Sequence, residues 1–256
     1  MFLTCKFMKI SPKLEVRKSL DIIFSGKKNV HKYDVISTLE EKTRELRCAI
    51  EQVSQTDYGK LFEVCYEDII TVKSSSEEHF EPQPTRIPVV FGPFYLIYFE
   101  EKPLGEYIGI LAGGDIARKI STILNKLVST GIGKTTTSLH GVKFLVREKQ
   151  EDIRRIPDFQ DVTEVYVESI PDAYVDALWM RGTMLDQTDE YQKFIEDLGG
   201  RLTILAVRFR DRIYYIYEDG RIFTKQAADR SLPKIANEIQ YFYEIASRLH
   251  GVGAIK

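Results

Sequence analysis

The sequence predicts an α+β fold of two lobes, each an antiparallel sheet backed by helices. Three observations carry this. The chain has 256 residues, comfortable for two modest domains. A Gly/Thr/Ser-rich stretch at 129–141 (STGIGKTTTSLHG) divides it near the middle, setting lobes at 1–140 and 141–256. Each half holds a hairpin followed by an amphipathic helix and a Gly-containing end: YIGILAGG before STGIG, and YYIYEDGRIF before LHGVG.

In chain order, 2–10 and 13–25 read as strands with a turn at Ser11-Pro12. Asp34 caps a helix to about Val53, with Val35, Leu39, Leu46, Ile50 and Val53 as its apolar stripe. Residues 57–59 turn, and 61–72 form a strand. The stretch 74–88 (SSSEEHFEPQPTRIP) lacks periodicity and holds three prolines, so it is expected to be a mobile loop. Residues 94–99 and 107–111 form a hairpin around 102–105. Residues 112–115 then break the strand, and Asp115 caps a helix to about Val128. The second lobe opens with a strand at 142–147, a charged connector to Asp161 and a strand at 163–169. A long helical region from Pro171 to Leu198, unbroken or interrupted near Gly182 or Gln187, is stopped by Gly199-Gly200. Strands at 202–209, 213–218 and 221–225 form a meander, the last two joined by a two-residue turn at Asp219-Gly220. An amphipathic helix over 232–249 ends at Gly251, with Pro233 in its first turn.

Apolar residues at 43% and charged residues at 29% are ordinary for a globular chain and exclude wholesale disorder. A formal net charge of −2 excludes a domain that binds nucleic acid through bulk positive charge, so any such site is a local patch or is completed by a partner. Cys5, Cys48 and Cys65 form no close pair, which argues against a disulfide framework or a zinc site and for a reducing compartment. The opening MFLTCKFMKI has too short an apolar run for a secretory signal, and 88–99 is too short to span a bilayer. A cytoplasmic protein without membrane contact is expected.

No chemical motif survives inspection. Gly131-Ile132-Gly133-Lys134-Thr135 matches the end of a phosphate-binding loop, but Val128 stands where the leading glycine is needed and the strand-loop-helix order is absent; a connector is expected. Gly113-Gly114-Asp115 before a helix has anion-site geometry, with Arg118 and Lys119 nearby, yet Asp115 competes for the same donors and makes it a turn plus cap. Glu100-Glu101-Lys102 has a nuclease-like spacing but lacks the preceding carboxylate. His31, His79, His140 and His250 have no second ligand near in sequence. No catalytic residue, metal site or cofactor is therefore expected.

The terminal meander is the best functional lead. With a two-residue turn, 218 faces 221, 216 faces 223 and 214 faces 225. One face then carries Tyr214, Ile216, Glu218, Arg221, Phe223 and Lys225. The uncharged face with Tyr215 and Tyr217 packs on the helix. Arg208, Arg210 and Arg212 surround the neighbouring turn. Cations neutralise phosphates and aromatics stack on or wedge between bases. The expected nucleic-acid contacts are Arg208, Arg210, Arg212, Tyr214, Arg221, Phe223 and Lys225.

The segment from Arg201 to Gly253 resembles the latter part of a TATA-binding-protein-type repeat. VRFRDR, Asp219-Gly220-Arg221 and Leu249-His250-Gly251 occupy that family's basic strand end, hairpin and helix end. With the strand at 163–169 and the helix from Pro171, the resemblance implies a β-α-β-β-β-α unit over 163–252, with Phe223 at the place of a wedge phenylalanine. The leading expectation is a non-catalytic nucleic-acid-associated binding protein. A second is an accessory subunit of a nucleic-acid-processing complex, for example one supplying N-terminal and linker domains to a truncated Argonaute-like protein. A third is an enzyme with a site assembled from distant residues. A homo-oligomer is left open.

Overall fold

The computed structural model describes residues 3–25, 28–37, 42–73, 84–171, 175–225 and 231–256. Strand β1 (Leu3–Ile10) is the joint of the fold. Cys5 and Phe7 point to one side and Met8 and Ile10 to the other, all buried, as in a strand covered on both faces. Next comes helix α1 (Leu14–Ile23). Val16, Leu20 and Ile23 recur at helical spacing and are buried, so the strand expected over 13–25 is corrected to a helix.

Four long strands follow: β2 (Lys28–Ser37), β3 (Lys42–Thr56), β4 (Gly59–Lys73) and β5 (Pro84–Phe99). The helix expected over 34–53 is thereby corrected to parts of β2 and β3. Leu46, Cys48 and Ile50 are buried in alternation, a period of two that also places residues four apart on one side and so mimics a helical stripe. Leu39 lies outside the described residues, as do 74–83 of the expected loop; 84–88 belong to β5 and pair with β4.

Strand β6 (Tyr107–Leu111) completes the expected hairpin and leads into helix α2 (Gly114–Ile132). This helix runs past the expected end at Val128 and closes on Gly133, whose φ of 75° is the left-handed cap that glycine takes without cost. Part of the expected connector is therefore helix. Strand β7 (Leu139–Gly141) follows. The strand expected at 142–147 reduces to a single bridge between Phe144 and Ile255. Then come helix α3 (Gln150–Arg154), strand β8 (Phe159–Glu168) and strand β9 (Ala177–Arg181). β9 overturns the long helix expected from Pro171, because 177–181 pair with β8 instead. Among the described residues there, a 3-10 turn (185–187), the single turn α4 (Asp189–Tyr191) and a π-helical turn (192–197) are helical. Strands β10 (Arg201–Phe209), β11 (Arg212–Tyr217) and β12 (Arg221–Thr224) form the expected meander, and helix α5 (Leu232–Gly251) follows.

The class is α+β, built on one large antiparallel sheet. Its order is β2-β3-β4-β5-β6-β1-β12-β11-β10-β8-β9, with β7 also on β1. β1 lies between β6 and β12, the two strands that lead into α2 and α5. The helices lie on opposite faces. α1 and α2 cover β2 to β6 and half of β1, burying Phe62, Val64, Ile108, Ile110, Met8 and Ile10. α3 and α5 cover the other face from β1 to β8, burying Phe7, Ile222, Tyr214, Val207 and Val165. A sheet coated this way leaves part of each face without a helix. Among the described residues no helix is long and apolar enough to cross a membrane.

Candidate binding face on the sheet

The terminal hairpin has a register one residue away from the expected one. Tyr217 pairs with Arg221, Ile216 with Ile222, Tyr215 with Phe223 and Tyr214 with Thr224. The loop is three residues long, closed by Gly220 N–H donating to the Tyr217 carbonyl, with Gly220 at φ 83°. A Cβ on Gly220 would stand 2.2 Å from the Val142 carbonyl oxygen, so the segment after β7 fits only a glycine there. Because side chains alternate, a slip of one exchanges the faces.

The exchange relocates the expected contacts. Tyr214 is fully buried under α5, with its ring 6.0 Å from Phe242 and 6.3 Å from Phe209; it is removed from the candidate surface. Arg210 and Arg212 lean toward α5 as well. Arg210 donates to Glu244 at 2.7 Å and Arg212 pairs with Glu238, both beside Tyr241. Arg208, Arg221, Phe223 and Lys225 lie on the opposite face, which no described helix covers in this half of the sheet.

Cross-strand pairing arranges that face in two rows. The first runs Trp179–Tyr166–Ile204–Tyr217–Arg221–Lys6 across β9, β8, β10, β11, β12 and β1. The second runs Arg181–Glu164–Ala206–Tyr215–Phe223–Thr4 across the same strands. Six strands at about 4.8 Å spacing give each row a length of about 24 Å. In the first row Tyr166 packs against Trp179 with ring centroids 5.4 Å apart and planes tilted by 45°, and the Arg221 guanidinium lies 4.4 Å over the Tyr217 ring. Trp179 keeps 46% of its surface exposed, high for the most apolar-rich of side chains. At the β1 end Lys6 bonds the Asp219 carbonyl and pairs with its carboxylate at 3.7 Å. Burial lowers the Lys6 pKa, and Asp219 opposes that shift.

The second row is held by a buried carboxylate. Ala206 is small, so Tyr215 reaches across it and donates to Glu164 Oε1 at 2.8 Å. Trp179 Nε1 donates to Glu164 Oε2 at 3.2 Å, and Arg181 and Lys225 pair with the same carboxylate at 3.3 and 3.5 Å. Glu164 is 2% exposed, a burial that a charge tolerates only with such partners. Burial, then the Glu164 bond, pushes the Tyr215 hydroxyl pKa up. Glu164 thus fixes Trp179, Arg181, Tyr215 and Lys225 as one unit.

A pocket of about 340 Å³ opens beside the middle of the first row, lined by Tyr166, Ile204 and Tyr217 and, toward the strand ends, by Lys143, Arg201, Glu218 and Asp219. The start of α2 borders the face: a Cβ on Gly114 would lie 3.4 Å from Arg221 Nη1. The N-cap there is Gly113, while Asp115 pairs with Arg118, so the expected Asp115 cap is corrected. Lys134 of the phosphate-loop-like segment pairs with Glu15, and Glu100 of the nuclease-like triplet pairs with Lys60 at 2.9 Å. His79 lies outside the described residues. Among those described, no three His, Cys, Asp or Glu side chains converge to hold a metal.

Compared with protein-family models and with curated proteins, the chain matches none. The expected surface omitted Trp179, Tyr166, Arg181, Glu164 and Lys6 and placed Tyr217 on the wrong side. The signal that could have found the first four is alternation, since Glu164 and Tyr166, and Trp179 and Arg181, are each two apart.

Proposed function

We propose that the chain is a non-catalytic binding protein that holds single-stranded nucleic acid on the uncovered face of β9, β8, β10, β11 and β12. The observation that carries this is the set of accessible aromatics, Trp179, Tyr166, Tyr217 and Phe223, interleaved with the cations Arg181, Arg221 and Lys225, with the buried Tyr215 and Glu164 as their support. Aromatic faces stack with any base, and cations along the same surface meet the backbone. On this face Lys6, Arg181, Arg201, Arg208, Arg221 and Lys225 outnumber Glu164, Glu168, Glu218 and Asp219, so a near-neutral chain still offers a local positive surface. Phe223 stands here, at the place the TATA-binding-protein resemblance gives to a wedge phenylalanine.

Anisotropy of labelled DNA and RNA strands of about 12 nucleotides tests the reading. Binding should weaken steeply between about 50 and 200 mM salt. Arg181→Ala and Arg221→Ala should each lower affinity several-fold and reduce the logarithmic salt slope by about 0.7. Arg210→Ala, on the α5 side, should leave affinity unchanged. No binding of either strand in low salt removes the reading.

A second reading, an accessory subunit, draws on the sheet ends. Among the described residues β2 and β9 each have one strand neighbour, so their outer edges can accept a strand from a partner protein. Co-purification of a stoichiometric protein partner from the native source, with no nucleic acid bound by the isolated chain, favours it over the first.

A further inference from the structure

We infer that the pocket between Tyr166 and Tyr217 takes one unstacked nucleobase of the bound strand. This rests on the nucleic-acid reading and deepens it. Both tyrosines are direct cross-strand partners of Ile204, one on β8 and one on β11. They therefore stand two strand spacings apart, about 9.6 Å at their bases, with an aliphatic floor between them. A flat ring inserted edge-down is in reach of an aromatic wall on either side.

Each wall has an outer neighbour in its row. Trp179 packs on Tyr166, and the Arg221 guanidinium, which also borders the pocket, lies 4.4 Å over the Tyr217 ring. The side of each ring that looks over Ile204 is the side left for a ligand, and the volume there is about 340 Å³. The rim decides what kind of ring. Three cations, Lys143, Arg201 and Arg221, line it beside three carboxylates, Glu168, Glu218 and Asp219, with Arg201 paired to Glu218 at 2.6 Å and Arg221 to Asp219 at 2.8 Å, so the rim is balanced in charge. A phosphate gains little from such a rim. A neutral ring whose edge carries both donors and acceptors matches it, because arginine donates and glutamate accepts. Arg208, together with Arg181 and Lys225, which share the single Glu164 carboxylate, is left to the backbone of the strand.

The test compares a DNA strand of about 12 nucleotides with an abasic strand of the same length, which keeps the phosphates and lacks the bases. The wild-type protein should hold the base-bearing strand about tenfold more tightly. Tyr166→Leu and Tyr217→Leu should erase that difference and leave abasic binding unchanged. Ile204→Trp removes nothing but fills the floor, and should act in the same way. If the strand binds and the three variants keep the full preference for bases, the pocket is not a base site and the face reading stands. If neither strand binds in low salt, the face reading fails and the pocket reading fails with it.

Discussion

At Glu164 and His31, single side chains set measurable properties. Glu164 is a buried carboxylate with four donors around it, and removing one donor leaves the others to carry the charge. Tyr215→Phe deletes only the hydroxyl. It should lower stability by about 1.5–3 kcal/mol, the range for hydrogen bonds to charged groups, as read from urea unfolding. A change near zero would mean that water or Arg181 replaces the tyrosine. His31 sits on β2 with Nε2 buried and without a hydrogen-bond partner among the described residues, and burial lowers its pKa from the ordinary value of 6.5, opposed by a bond to the Ile23 backbone. The folded protein thus binds this proton less readily than the unfolded chain. The associated stability is complete above about pH 6.5 and declines as pH falls toward the lower folded value. The melting temperature should drop from about pH 7.5 to about pH 5.5, and His31→Gln should flatten that drop. Parallel curves for the two proteins would assign the drop to other groups.

The β11–β12 hairpin shows how an element hides its own register. Asp219-Gly220 is correctly a turn, and the meander, α2 and α5 are all legible from turn residues and apolar spacing. The faces are not, because one extra loop residue exchanges them while the composition stays the same. The chemistry on the hidden side is aromatic and uncharged in Tyr215 and Tyr217, which reads as core until β12 supplies Arg221 and β8 supplies Glu164. The same limit explains β2 and β3. Their burial depends on α2 packing over them, and no local signal in 34–53 distinguishes a stripe four apart from alternation two apart. β9 carries alternation in Trp179 and Arg181, but its place in the sheet comes from pairing with β8, which no local signal gives. The register makes a paired prediction. Tyr214→Ala should cost about 3–5 kcal/mol through the cavity it leaves under α5 and leave nucleic-acid affinity per folded molecule unchanged. Phe223→Ala should cost less in stability and weaken binding about tenfold. Reversal of the two outcomes would restore the two-residue turn.

For the whole molecule the question is whether the halves unfold together. The sheet passes from β6 through β1 to β12 without a gap, and β1 sends Cys5 and Phe7 into the cluster under α5 and Met8 and Ile10 into the cluster under α2. Phe7 stacks with Phe99 on β5 at 5.9 Å and lies 5.9 Å from Phe144 after β7, so its ring touches segments from both sides of the expected boundary. Loss of either half would strip β1 of one strand neighbour and bare an apolar edge, a cost that falls on the half still folded. Cooperative, coincident unfolding follows. Trp179, the single tryptophan, reports the β8–β9 end, while circular dichroism reports the entire sheet. The two signals should share one urea midpoint. Phe7→Ala should move both midpoints down together, by about 3–5 kcal/mol in stability. A tryptophan transition that separates from the dichroism, or that alone ignores Phe7→Ala, would mean that two lobes fold independently and that β1 belongs to only one of them.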